Sequence, residues 1–96
     1  MDTEKILHTL RTLRNEIERD YKAEIIGVFG SYARGEHREG SDLDVLVDFR
    51  DKANLLDLVG LGQFLEEVLH CEVDVVSKRA LRAELKPYVE NDLIPV

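Results

Sequence analysis

The 96 residues leave room for one modest core, and the chain reads as a single domain spanning 1–96. Thirteen basic residues stand against 20 acidic ones, and a net charge of −7 disfavours direct nucleic-acid binding, which depends on Lys and Arg neutralising phosphates. Cys71 is the single cysteine, which excludes an intrachain disulfide and a zinc site built on several thiolates; with neither a signal peptide nor an apolar run of membrane-spanning length, a soluble, cytoplasmic protein without membrane contact is expected.

Taken in order, residues 3–20 carry Ile6, Leu10, Leu13 and Ile17 at spacings of four, three and four, one face of an amphipathic helix. Asp2 or Thr3 suits its N-cap. A short buried strand is expected over 24–29. Gly30 to Arg34 then reads as a tight turn into a short helix ending near Gly35, followed by a charged loop over 36–41. A second strand spans 43–49. Its period of two sets Leu43, Val45, Val47 and Phe49 on one face and Asp44, Leu46 and Asp48, with Asp42 just ahead, on the other.

Residues 55–70 form a second long helix, with Asn54 as N-cap and Asp57 three residues on. Leu55, Leu58, Gly62, Leu65 and Leu69 define its apolar stripe. Gly60 and Gly62 weaken it by about 1 kcal/mol each relative to Ala and permit close packing on a sheet. A third strand covers 72–76, a further helix is expected over 77–85, and Pro87 starts a final turn over 87–91. The predicted order is α-β-α-β-α-β-α, an α/β sandwich around a small mixed sheet.

Three aspartates stand out. Asp42 and Asp44 project from one face of a strand, where two like charges repel and add nothing to a core. Asp74 interrupts a run of β-branched residues on a strand expected beside them. Three carboxylates from neighbouring strands make a hard, oxygen-rich site of the kind magnesium takes, with water and phosphate oxygens completing its shell. Two ions bridged by Asp42 and Asp44 would stabilise the attacking and leaving oxygens of a phosphoryl displacement, and Asp74 would hold the ion near the nucleophile and accept its proton. Upstream, Gly30 leaves room for a phosphate against the backbone, and Ser31 offers a hydroxyl at a helix start.

Gly30-Ser31, ten residues, then Asp42-Leu43-Asp44 resembles the Gly-Ser…Asp-x-Asp motif of the DNA polymerase β-like nucleotidyltransferases. Asp74 matches the third metal-site carboxylate of that superfamily. The string GSYARGEHREGSDLDVLVDF in so short a chain is similar to the minimal nucleotidyltransferases, antitoxins paired with HEPN-domain toxins. The resemblance runs from the first strand to about Ser77. It implies ATP and magnesium as substrate and cofactor, and transfer of AMP onto a tyrosine of a cognate HEPN RNase toxin, which silences it. It further implies a hetero-oligomer with that toxin. By position, Gly30 and Ser31 contact the nucleotide phosphates, Asp42 and Asp44 bind the metals, and Asp74 completes the site.

Plainer roles stand beside these. Asp42 and Asp44 also suit a capped strand entrance, and Asp74 an edge-strand gatekeeper against aggregation. Arg34 fits a nucleotide-phosphate or partner contact as well as it fits a solvated loop charge. His37 reads as a surface residue, Asp48 as peripheral, and Cys71 as a small buried apolar residue. Lys78, Arg79, Arg82 and Lys86 form the basic cluster of the chain, a solvated helix face or a second hold on a triphosphate. Two other functions remain in view: neutralisation of a toxin by stoichiometric binding, and nucleotidyl transfer to a small molecule.

Overall fold

A computed structural model describes residues 2–96. The N-terminal amphipathic repeat folds as helix α1, Thr3–Tyr21, with the Asp2 side chain accepting a hydrogen bond from the Lys5 N–H at 2.9 Å. Ile6, Leu10 and Ile17 are fully buried, Leu7 joins them, and Leu13 packs at the margin. Strand β1, Ala23–Phe29, follows after a left-handed Lys22. A four-residue helix α2, Ser31–Arg34, closes on a left-handed Gly35. Strand β2 is Leu43–Phe49, helix α3 is Leu55–Leu69 and strand β3 is Val73–Ser77. The Asn54–Asp57 capping box forms in both directions at the start of α3.

The strands make one mixed sheet in the order β3-β2-β1, extended on the far side by a fourth strand. β1 and β2 run antiparallel, with a bulge at Ile26 between the Ile25–Val47 and Gly27–Leu46 pairs. That extra residue changes the inward phase of β1, so Ala23 and Ile25 before it and Val28 after it all face the core. β2 and β3 run parallel, joined through α3. Helices α1 and α3 pack on each other and on the sheet face that carries Leu43, Val45, Val47 and Phe49. Leu46 and Val89 are buried outside this cluster, where the C-terminal segment meets the sheet.

Three expectations need correction. The helix expected over 77–85 is absent: a single 3₁₀ turn, Lys78–Ala80, is followed by turns, and helix α4 is Lys86–Asp92 with Pro87 in its first turn. Residues 77–85 hold no apolar stripe long enough to keep a helix on the sheet, so tertiary contacts decide their path. The basic cluster therefore shares no helix face, and Arg79 instead pairs with Asp51 at 2.8 Å and Asp48 at 3.7 Å. In α3 the stripe begins one turn later than expected: Leu55 is 73% exposed, whereas Leu61, Leu65 and Leu69 are buried. The sheet also has a short fourth strand β4, Ile94–Pro95, antiparallel to β1.

Gly27 is what admits β4. A Cβ there would collide with the Ile94 carbonyl oxygen and the Leu93 side chain. Among the described residues, no helix is long and apolar enough to cross a membrane. Gly27→Ala is expected to cost about 1–3 kcal/mol through overpacking, read as a lower urea midpoint at unchanged slope. An unchanged midpoint would mean that β4 does not depend on a bare backbone at this position.

Candidate functional site

β2 is a central strand, and its residues Asp44 to Val47 meet a neighbour on both sides. Asp44 pairs in register with Asp74 of β3 on one side and with Phe29 of β1 on the other. The strand adjacency expected for Asp74 is therefore present. Phe29 leads directly into Gly30, which adopts φ 76° and ψ −152°, a conformation that only glycine reaches without strain. A Cβ on Gly30 would collide with Oδ2 of Asp44. Glycine is required here twice over, by its backbone angles and by the carboxylate lying against it.

Asp44 is half-buried, Asp42 and Asp74 are exposed, and Ser31 is half-buried. The Asp44 carboxyl is pushed up to about 6, first by burial and then by the charges of Asp74 and Asp42, with Arg34 opposing them. This is the signature of a carboxylate cluster short of positive charge. Asp42 has a further acidic neighbour: the Glu72 carboxyl is raised by a hydrogen bond with Asp42 and by its charge. Glu72 was not singled out in the sequence, because its side chain comes beside Asp42 only through the pairing of β2 and β3, where the Leu43 N–H donates to the Glu72 carbonyl at 2.8 Å.

The donors are all hard oxygens, and their mutual repulsion fits a divalent cation such as magnesium. Among the described residues, no three His, Cys, Asp or Glu side chains gather tightly enough to enclose an ion by themselves. An open shell of this kind is what magnesium completes with water and phosphate oxygens.

A cleft of about 490 Å³ opens beside Asp44, within the usual range for small-ligand sites. Gly30, Ser31, Arg34 and Asp44 line one side of it. Helix α2 is a single turn, so its dipole is small, but the first N–H groups of any helix lack internal partners and remain available. Arg34 projects from the end of this turn. Its guanidinium pairs with Asp92 of α4 at 2.6 Å and with Glu36 at 3.0 Å. The other side of the cleft comes from the C-terminal segment, including Leu85, Tyr88 and Val89. The sequence reading assigned none of these to the site, and Gly27, as the mark of a close backbone approach, was the available signal that a further segment docks there.

His37 is not a plain surface residue. It is half-buried and stacked on Tyr32, with ring centroids 4.1 Å apart and planes 4° from parallel. It lines a separate hollow of about 570 Å³ with Tyr32, Ser41, Cys71 and Glu72, which contains none of the three aspartates.

A family model for the nucleotidyltransferase domain matches residues 10–94. The protein adenylyltransferase MntA of Thermococcus cleftensis is 38% identical over 93 residues, covering 97% of this chain and 94% of that protein. Among solved structures, a provisionally assigned minimal nucleotidyltransferase superposes with a TM-score of 0.77 at 42% identity, over 100% of this chain and 97% of its own. A toxin–antitoxin crystal structure with AMP-PNP gives 0.66 at 30% identity, over 80% and 64% of the two chains. A complex of tri-AMPylated HEPN toxin with MNT antitoxin from Shewanella oneidensis gives 0.62 at 25% identity, over 90% and 66%.

The raised Asp44 carboxyl has a sign that can be checked. A folded-state value above the unfolded one destabilises the fold where the group is charged, so the penalty is present above about pH 6 and fades as pH falls toward 4. Without divalent cations, Asp44→Asn is expected to be more stable than the parent at pH 8 by about 1 kcal/mol after solvent screening. The gap should close near pH 4 in urea titrations; a constant gap would deny Asp44 this role.

Proposed function

The chain belongs to the nucleotidyltransferase domain family, and from that membership we propose that residues 1–96 act as a minimal nucleotidyltransferase that moves AMP from ATP onto a tyrosine of a HEPN-domain toxin and so neutralises it. The observation that carries this reading is the register of Asp44 with Asp74, with Gly30 pressed against the same carboxylate. It joins a phosphate-accommodating turn to a cluster of hard oxygen donors at one end of the sheet. The relatives support it: one is named a protein adenylyltransferase, and one solved complex holds an AMPylated HEPN toxin.

Each residue then has a task. The backbone at Gly30 and the Ser31 hydroxyl hold the triphosphate, and Arg34 meets its negative charge. Asp42 and Asp44 hold magnesium, with Asp74 completing the set. The bound metal supplies charge neutralisation at the phosphates and lowers the cost of the departing pyrophosphate. Asp74, exposed at the open side of the cluster, accepts the proton of the incoming tyrosine hydroxyl. The tyrosine oxygen bonds to the α-phosphorus, the bond to the bridging oxygen breaks, and pyrophosphate leaves.

A protein acceptor fits the net charge of −7, which suits a basic partner better than a nucleic acid. Incubation with ATP labelled at the α-phosphate, magnesium and the HEPN partner should label the partner at its tyrosine. Asp42→Asn/Asp44→Asn should abolish labelling, and Asp74→Asn should slow it by about a hundredfold or more. Protection of the partner's substrate RNA should occur at substoichiometric amounts of this chain. Absence of label together with full neutralisation by the double variant at equimolar dose would replace catalysis with stoichiometric binding.

A further inference from the structure

The transfer reaction as described uses only one wall of the cleft. The rest of the lining is largely apolar: Val76 of β3 and, from the C-terminal segment, Leu81, Leu85, Tyr88 and Val89. Val89 is 6% exposed and anchors α4 to the sheet. Leu85 is 46% exposed and Tyr88 73% exposed, so a large aliphatic group and an aromatic ring stand in water at the mouth of the cleft. They are three residues apart at the start of α4, which sets them on one side of the helix. Nothing in the core needs them there.

Their wall is also held in a fixed relation to the polar one. Asp92, at the end of α4, pairs with Arg34 at 2.6 Å, and the Asp92 side chain is only 17% exposed. β4 then ties the segment that follows α4 to β1, whose last residue leads into Gly30. A ligand in the cleft therefore meets a polar end at Gly30, Ser31 and Asp44 and an apolar, partly aromatic face at Leu85 and Tyr88.

We propose that Tyr88 and Leu85 form the base-binding wall of the site, with the Tyr88 ring stacking on the purine of the bound nucleotide. This rests on the nucleotide reading of the polar end. It explains why an aromatic ring is left exposed: a flat base covers it, and base–aromatic stacking tolerates any base that presents a π-face. Among the described residues lining this wall, only Asp92 and the Tyr88 hydroxyl offer polar groups to read a base edge. Affinity at this wall therefore comes from ring area, and purine nucleotides bind more tightly than pyrimidine nucleotides.

Calorimetric titration of the full chain in magnesium with AMP-PNP and, separately, with tripolyphosphate tests it. Tyr88→Ala should weaken AMP-PNP by about tenfold or more and leave tripolyphosphate unchanged, while Tyr88→Phe should bind both like the parent. The chain contains no tryptophan, so Tyr88→Trp supplies a single reporter whose fluorescence should be quenched by AMP-PNP and not by tripolyphosphate. AMP-PNP affinity indifferent to Tyr88→Ala, equal losses for both ligands, or an unresponsive Tyr88→Trp would overturn the base-binding wall while leaving the nucleotide reading in place. Failure of the parent to bind either ligand would overturn both.

Discussion

The site is organised around a carboxylate set into the middle of a sheet. Asp44 occupies a central strand, where most positions are apolar, and it has Asp74 on one side and the Gly30 turn on the other. Burial and like charge both oppose its ionisation. A fold gains nothing from such an arrangement. It persists because the opposite face of the same strand, with Leu43, Val45 and Val47 fully buried, supplies ample hydrophobic stabilisation. β2 thus divides its labour by residue parity: one face holds the core together and the other concentrates negative charge.

That division shapes the neighbouring elements. β1 must end beside Asp44 and turn at once, and only glycine satisfies both the positive φ and the close approach of the carboxylate. β3 must run parallel to β2 to bring Asp74 level with Asp44, which requires a long crossover, and α3 provides it while burying Leu61, Leu65 and Leu69. The glycines of the chain are therefore not interchangeable. Gly30 serves the site, and Gly27 the docking of β4.

Positive charge is scarce around the cluster, and its placement follows from this. Arg34 is the cation that moderates Asp44, yet it is shared with Asp92 and Glu36. Its pairing with Asp92 joins the turn after β1 to the helix before β4, so one side chain contributes to the electrostatics of the cleft and to its shape. Arg79 is spent on Asp48 and Asp51 at the opposite end of β2. The basic residues near the C-terminus share no helix face, since Lys78 and Arg79 lie in the 3₁₀ turn and Lys86 opens α4.

Local patterns in the sequence sufficed for α1, for β2 with its two faces, for the Asn54 cap, and for the turn at Gly30-Ser31 ahead of the strand that carries Asp44, because periodicity, capping and motif spacing act over a few residues. The likeness to the nucleotidyltransferases was legible for the same reason: its motif lies within one turn and one strand. The nearness of Asp74 to Asp44 depended on strand order, which no local pattern encodes, and the pairing of β2 with β3 decided it. The same holds for Glu72 beside Asp42. Beyond the turn that Pro87 opens, which is α4, the path of residues 77–95 escaped local reading. Its apolar groups are too few to declare a periodicity, and β4 is only two residues long. Tertiary structure alone brought Leu85, Tyr88 and Asp92 to the cleft, because their positions are set by burial of Val89 and by the bare backbone of Gly27 rather than by any preference of their own.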